Sequence, residues 1–208
     1  MADSFRDIDF TSGKKIRFDN GDIMVSAGSV RRSRRYEFLQ RPDEWVHVRP
    51  LSKPYGGIRA HLFRHGNTLF VVRTTDPSGP PIIENLVRAF SRRVRIEAPL
   101  ATFTGVYERR PDSKVLVHVS SYFQGPTLSD SFRSNRSWEG VDRLKLAGDI
   151  LREIGKIHDG GGVHGHLHFE NIVLQGGRLR IIDAKKFLFP SLPFSDRSPY
   201  YSDLAFFM

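Results

Sequence analysis

Three histidines at alternating positions give one short segment of this chain its clearest capacity for chemistry. His164, His166 and His168 are followed by the amide of Asn171, all within residues 164–171. A neutral imidazole can accept a proton from a hydroxyl group near pH 7, so the segment contains residue types that proton transfer needs. The elements on either side decide which other groups join it.

The residues after this segment predict a tight β-hairpin. The apolar run 171–174 and the run 179–182 are separated by the turn 175–177, which contains two glycines. Because the two open ends of a hairpin meet, we expect this one to return Asp183 to the neighbourhood of Asn171. The alternative is an ordinary hairpin in which Asn171 is a capping residue and Asp183 belongs to a turn.

The segment from His164 to Asn171 resembles the catalytic loop of the protein-kinase-like superfamily. Those enzymes read H-[RG]-D-L-x-x-x-N, whereas this chain reads H-G-H-L-H-F-E-N, so His166 stands where the family has its catalytic Asp. The resemblance implies ATP and magnesium as cofactors, with Asn171 and Asp183 as magnesium ligands. His166 cannot replace a carboxylate as an anion, but its imidazole can accept a proton. His168 and Glu170 are nearby polar groups that could assist it.

Upstream, a strand–turn–strand pattern resembles the hairpin that covers the nucleotide in kinases. Gly56 and Gly57 precede an alternating strand at 58–63, and 68–73 is predicted to be the returning strand. In the resemblance, the two glycines contact the nucleotide and Arg73 takes the place of the lysine that pairs with its phosphates. Arginine keeps the charge but presents a wide planar fork. The alternative is an exposed arginine at the end of a strand.

A helix is predicted over residues 81–90, where apolar residues recur at helical spacing after a proline. In the resemblance this is the helix of the small lobe, and Glu84 is the candidate partner of Arg73 in organising the nucleotide. Glu97 is the weaker candidate, because it lies near Pro99, where a helix should end.

The remaining patterns complete an expected two-lobed α+β fold of the kinase type, minimal or truncated after the first helices of the large lobe. Strands are expected at 100–107 and 114–119 around a turn at 110–112, followed by a hinge-like segment with a Gly and a Thr-Leu. The expected organisation is a basic N-terminal extension (1–45), a small β-rich lobe (46–120), a hinge (121–126) and a helical lobe with the catalytic loop (127–208).

The clearest helix in the sequence is expected at 138–158 and is stopped by three glycines. Its spacing predicts one buried apolar stripe, with Ile150 and Ile157 beside it. The residues of that stripe are Leu144, Ala147, Leu151 and Ile154.

The pattern HG-x-LH-x-x-N in a short chain resembles the bacterial lipopolysaccharide-core and Kdo kinases most, and the Bud32-type and Rio-type kinases less. That resemblance implies a sugar hydroxyl at a membrane surface as the phosphate acceptor; a protein hydroxyl is the other acceptor considered. It also makes Asp203 the counterpart of the Asp that braces the catalytic loop, with a helix N-cap as the alternative.

Composition limits the classes of partner. The chain has 208 residues, a net charge of +9 and 32 Lys and Arg residues, which favours anionic partners such as nucleotides, acidic lipids or lipopolysaccharide. The densest basic cluster, residues 31–35, has a solvated helix face as its alternative interpretation. Nucleic-acid binding is not favoured, because no zinc-finger or RNA-recognition pattern accompanies the basic clusters.

The chain has no cysteine, which excludes disulfides, zinc–thiolate sites and thiol nucleophiles. No apolar run approaches the roughly 18 residues of a membrane-spanning helix, and no secretory signal is visible. We therefore expect a cytoplasmic protein, with the periphery of the inner membrane as a further location.

Three hypotheses follow. The first is a divergent or weakly active ATP-dependent phosphotransferase, and the second is a catalytically dead pseudokinase that acts as a binding or regulatory module for a protein partner. The third is a basic protein that binds lipid or nucleic acid and has no nucleotide site.

Overall fold

The chain forms two compact units, described here from a computed structural model. The first unit consists of Met1–Ile83 and Pro99–Tyr122, and the second of Glu84–Ala98 and Phe123–Met208. The structure describes residues 5–19, 21–51, 59–78, 82–92, 94, 96–134, 142–183, 186–189 and 203–204.

The first unit is built on a seven-stranded sheet in which all neighbouring strands are antiparallel. Its strands are β1 (Phe5–Ile16), β2 (Ile23–Arg31), β3 (Val46–Pro50), β4 (Arg59–His65), β5 (Thr68–Thr75), β6 (Pro99–Tyr107) and β7 (Arg110–Ser121). They lie in the order β1-β2-β6-β7-β5-β4-β3. Two short 3-10 helices, Arg34–Gln40 and Pro42–Glu44, connect β2 to β3.

The strand–turn–strand prediction is confirmed by β4 and β5, which pair from Arg59↔Thr74 to His65↔Thr68. The turn expected at 110–112 is wrong by two residues. Tyr107 already pairs with Arg110, so the chain reverses at residues 108–109 and β7 begins at once. The proline and aspartate at 111 and 112 suggested a turn, but they lie within β7 near its first residue.

Strands β1 and β2 lie within the stretch that the sequence suggested as a basic N-terminal extension, where no strand was predicted. Only Ile16 of β1 is buried and five of its twelve residues are exposed, and its register with β2 shifts between Asp9 and Lys14. An edge strand with a bulge and one solvated face shows little of the alternation that identifies a strand in sequence. Its pairing is nevertheless extensive, and β2 continues the ladder to β6.

The core of the first unit is aromatic. Phe63, Phe70 and Phe103 are fully buried, and the ring centroids of Trp45 and Phe70 are 4.9 Å apart. The indole N–H of Trp45 donates to the carbonyl oxygen of Phe38 at 2.9 Å, so the polar edge of this ring is satisfied inside the core.

The second unit contains most of α1 (Ile82–Ser91), which is the helix predicted at 81–90, and the elements that follow the sheet. These are α2 (Leu128–Arg133), α3 (Arg143–Asp159), a 3-10 turn at Phe169–Asn171, β8 (Ile172–Gln175) and β9 (Arg178–Ile181). Thr127 begins α2 with a reciprocal capping box to Asp130.

Helix α3 is present, but its buried face differs from the predicted one. The buried residues are Ile150, Ile154 and Ile157. The stripe predicted from the sequence shares only Ile154 with this face and is otherwise wrong, because three of its members are exposed: Leu144, Ala147 and Leu151. The helix presents two apolar stripes at helical spacing, and packing near β9 selects the one lined by isoleucines.

Helix α3 is bounded by clear caps. The carboxylate of Asp142 accepts from the backbone N–H groups of Leu144 and Lys145, both at 3.0 Å, and the helix ends at Gly160. The predicted start at 138 lies outside the described residues. No helix in the described part of the chain is long and apolar enough to cross a bilayer.

Candidate active site

The hairpin of β8 and β9 brings Asn171 and Asp183 together, as the sequence predicted. Gly176 and Gly177 both have positive φ, 54° and 74°, which is the backbone of the two-residue turn that suits the twist of a hairpin. At the open end, the N–H of Ile182 donates to the carbonyl oxygen of Asn171 at 2.9 Å. Asp183 is therefore the next residue after the one whose backbone is hydrogen-bonded to Asn171.

The side chain of Asn171 is buried and held by its own loop. Its amide nitrogen Nδ2 lies 2.8 Å from the carbonyl oxygen of His166 and 3.1 Å from Nε2 of His168. The same loop thus fixes both the position and the orientation of this amide.

Asp183 has an unusual backbone that another carboxylate supports. Its φ is +68°, a left-handed conformation that few residues other than glycine adopt, and such conformations cluster at functional sites. Its N–H donates to Oε1 of Glu97 at 3.1 Å, and Glu97 is only 2% exposed. The sequence suggests Glu97 only as the weaker candidate partner of Arg73 and gives no sign of this contact.

The loop that carries the three histidines is anchored by Asp203, which is 0% exposed. Its carboxylate accepts from the backbone N–H groups of His164 and Gly165, both at 2.8 Å, and lies 3.1 Å from Nε2 of His158. Gly165 has φ +71°, and a Cβ there would lie 2.6 Å from the carbonyl oxygen of Lys186. The prediction that Asp203 braces this loop is confirmed.

His164 joins the loop to the hairpin. Its Nε2 lies 2.8 Å from the carbonyl oxygen of Ile182, so this nitrogen carries the proton and donates. Burial lowers the pKa of His164, against the opposing effects of that carbonyl and of three carboxylates: Asp203, Asp183 and Glu97. The uncharged ring of His164 thus links the loop, through one hydrogen bond, to Ile182, the residue before Asp183.

His166, which the catalytic-loop pattern aligned with the kinase aspartate, is half-buried. Its ring meets the ring of His168 edge to face, with centroids 4.7 Å apart and planes at 88°. Glu170, which the sequence suggested could assist, is exposed and forms an ion pair with Arg133 at 3.3 Å. His168 rather than Glu170 therefore packs against the ring of His166.

In the first unit, Arg73 lies near the end of β5 and is only 7% exposed, so the alternative of an exposed strand-end arginine is wrong. Its Nη1 donates to Oγ of Ser120 on β7 at 2.7 Å. His118 pairs with Arg73 across the two strands and lies 3.1 Å from Oγ1 of Thr75. Burial, together with the charge of Arg73, lowers the pKa of His118 to about 4.

Comparisons with known proteins bear on the fold that carries this site. No protein-family model matches the chain. Over 72 residues it is 35% identical to the KEOPS complex subunit Bud32 of Pyrococcus abyssi (strain GE5 / Orsay), a match that covers 35% of this chain and 31% of that relative. The chain thus matches about a third of the length of this curated relative.

The structure of WaaP in complex with acyl carrier protein matches with a TM-score of 0.58 at 16% identity, over 76% of this chain and 69% of that one. The fold is that of the protein-kinase-like superfamily. This confirms the mixed α+β fold and the superfamily expected from the catalytic-loop pattern. The similar sequence is a Bud32 protein, a type that the loop pattern resembled less.

Within this kinase-like fold, the other predicted nucleotide-binding residues stand as follows. Glu84 is exposed in the first turn of α1, and its pairing with Arg73 stays a prediction. Gly56 and Gly57 lie outside the described residues.

The described residues contain no cluster of three or more His, Cys, Asp or Glu side chains that could hold a metal ion. A kinase-type site does not need one. Magnesium takes oxygen ligands and is commonly bound by one or two carboxylates or amides together with substrate phosphates and water. The carboxylate of Asp183 and the amide oxygen of Asn171 are donors of this kind.

Proposed function

We propose that this protein binds ATP with magnesium, and that Asn171 and Asp183 supply the protein ligands of the metal. The observation that supports this most strongly is the hairpin whose backbone hydrogen bond brings the chain at Asp183 next to Asn171, with the Asn171 amide fixed by its own loop and the Asp183 N–H bound to Glu97. Magnesium, when bound, would neutralise charge on the nucleotide phosphates.

Arg73 is the proposed phosphate ligand of the first unit, with Glu84 as its proposed partner. Support for Arg73 comes from its burial near the end of β5, where Ser120 orients the guanidinium. A guanidinium is always charged and can pair with phosphate through two parallel hydrogen bonds. Arg73→Ala should therefore weaken nucleotide binding, and Arg73→Lys should retain part of it.

Phosphate transfer is proposed to be slow or absent because of His166. General-base assistance typically contributes about 10²–10⁴-fold to a rate, so an altered base leaves only the contribution of positioning and charge. A sugar or protein hydroxyl is the proposed acceptor. If transfer is absent altogether, the chain acts as a binding module, and a protein partner is proposed for that role.

The binding proposal is tested by thermal unfolding with ATP, with and without magnesium. Saturation at about 100 times Kd stabilises a native protein by about 2.7 kcal/mol, or roughly 5–10 °C for a chain of this size. Asp183→Ala should abolish the magnesium-dependent part, and Asp149→Ala, at a partly exposed position on α3, is the matched control. Equal magnesium-dependent stabilisation in Asp183→Ala and wild type would show that the metal assignment is wrong.

The activity proposal is tested with His166→Asp. Because the loop is anchored through backbone groups and Asn171, we expect this variant to bind ATP like wild type and to gain phosphate transfer or ATP hydrolysis. Brisk transfer by wild type that His166→Ala removes would instead make His166 the working base. If His166→Asp gains nothing while binding is intact, the defect lies elsewhere in the site, with Arg73 as the candidate, and the pseudokinase hypothesis is favoured.

A further inference from the structure

The amide of Asn171 has only one possible orientation. Its nearest partner in the loop is the carbonyl oxygen of His166 at 2.8 Å. A carbonyl oxygen only accepts hydrogen bonds, so the atom that faces it must be the amide nitrogen Nδ2, which donates. The orientation of this side chain therefore follows from the chemistry of the contact.

The second hydrogen of that amide is directed to His168. Nε2 of His168 lies 3.1 Å from Nδ2 of Asn171, and an amide nitrogen has no lone pair to offer. Nε2 must therefore accept, which places the ring hydrogen of His168 on Nδ1. With both amide hydrogens used, the carbonyl oxygen Oδ1 of Asn171 is the atom left to bind a cation.

His168 is itself fixed in place by the loop. The backbone N–H of Asn171 donates to the carbonyl oxygen of His168 at 2.8 Å, closing the 3-10 turn at Phe169–Asn171. The ring of His168 also packs edge to face against the ring of His166. Asn171 is thus tied to His168 twice, once through the backbone and once through the ring.

We infer that His168 is the positioning residue for Asn171: its unprotonated Nε2 holds the amide so that Oδ1 faces the metal. This deepens the proposed function and rests on it. A group that orients a metal ligand typically changes metal affinity about 10–100-fold when it is removed. His168 acts through Asn171 in this role and is not a ligand itself.

Three substitutions separate the hydrogen bond from simple packing. His168→Ala removes ring and acceptor, His168→Phe keeps a ring without the acceptor, and His168→Gln keeps an acceptor oxygen near the position of Nε2. The matched control is His65→Gln, because His65 is a half-buried histidine of the first unit that pairs with Glu44.

The readout is the magnesium concentration that gives half of the ATP-dependent thermal stabilisation, measured at constant ATP for each folded variant. We expect this midpoint to rise about 10-fold or more in His168→Ala and His168→Phe. It should stay within about threefold of wild type in His168→Gln and be unchanged in His65→Gln. Circular dichroism without ligand checks that each variant is folded.

The outcomes distinguish the inference from the proposal beneath it. If wild type shows no magnesium-dependent stabilisation, the proposed function fails and this inference fails with it. If wild type responds but His168→Phe keeps the wild-type midpoint, the acceptor is not needed and the inference alone is wrong. A midpoint in His168→Gln as high as in His168→Phe would likewise assign His168 to packing.

Discussion

Removal of the Asp203 carboxylate should show how strongly the histidine-bearing loop depends on it. Asp203 is fully buried and accepts the backbone N–H groups of His164 and Gly165, each at 2.8 Å. Asp203→Ala leaves both donors buried without this acceptor. An unsatisfied buried donor costs about 1–3 kcal/mol, and hydrogen bonds to charged groups lie at the upper end of that range.

Two such donors give an expected loss of about 3–5 kcal/mol in the free energy of unfolding. For a chain of 150–250 residues each kcal/mol corresponds to about 2–4 °C, so the unfolding temperature should fall by roughly 6–20 °C. Asp203→Asn keeps one acceptor oxygen and should lose about half as much. The measurement is thermal unfolding by circular dichroism at 222 nm, without ligand.

The matched control is Asp149→Ala, which removes a partly exposed carboxylate on α3 paired with the exposed Arg152. Exposed pairs contribute only about 0–1 kcal/mol, so this variant should unfold within about 2 °C of wild type. If Asp203→Ala unfolds no earlier than Asp149→Ala, the two backbone hydrogen bonds do not hold the loop and Asp203 is not its anchor.

Three further predictions follow from single contacts. Gly165→Ala should lower stability by about 2 kcal/mol or more, because φ is +71° and the new Cβ meets a backbone oxygen, whereas Gly148→Ala in the open interior of α3 should raise it by up to about 1 kcal/mol in urea unfolding. The folded-state pKa of His118, about 4, lies below its ordinary 6.5, so the unfolded chain binds the extra proton between these values. Stability present above pH 6.5 should therefore be lost as pH falls towards 4, and His118→Gln should flatten that part of the profile. Glu97→Ala should weaken magnesium-dependent ATP stabilisation, while Glu97→Gln, which keeps an acceptor for the N–H of Asp183, should retain most of it.

The parts of the site that the sequence predicted are local in the chain. The hairpin around Gly176 and Gly177 needs only two apolar runs and a turn that fits their twist, so it could be predicted from about a dozen residues. The spacing of His164, Asn171 and Asp183 follows from the same local geometry. A local sequence pattern is therefore sufficient to predict a local structure such as this hairpin.

Contacts between distant segments could not be predicted in the same way. Glu97 and Asp183 are 86 residues apart, and nothing in the sequence around Glu97 shows that its carboxylate meets a backbone N–H. On α3, the exposed Leu144 and Leu151 and the buried Ile150 and Ile157 form equally regular apolar stripes. Only the position of the neighbouring elements decides which stripe is buried.

One of the two residues proposed to bind the metal has a strained backbone. A left-handed aspartate costs of order 1–3 kcal/mol, and Asp183 is kept in that conformation with help from the buried Glu97. Asn171 is likewise fixed by two hydrogen bonds within a loop that Asp203 anchors. None of these contacts involves the side chain at position 166. We therefore expect the proposed metal and nucleotide binding to be separable from phosphate transfer, with the histidine at position 166 affecting transfer more than binding.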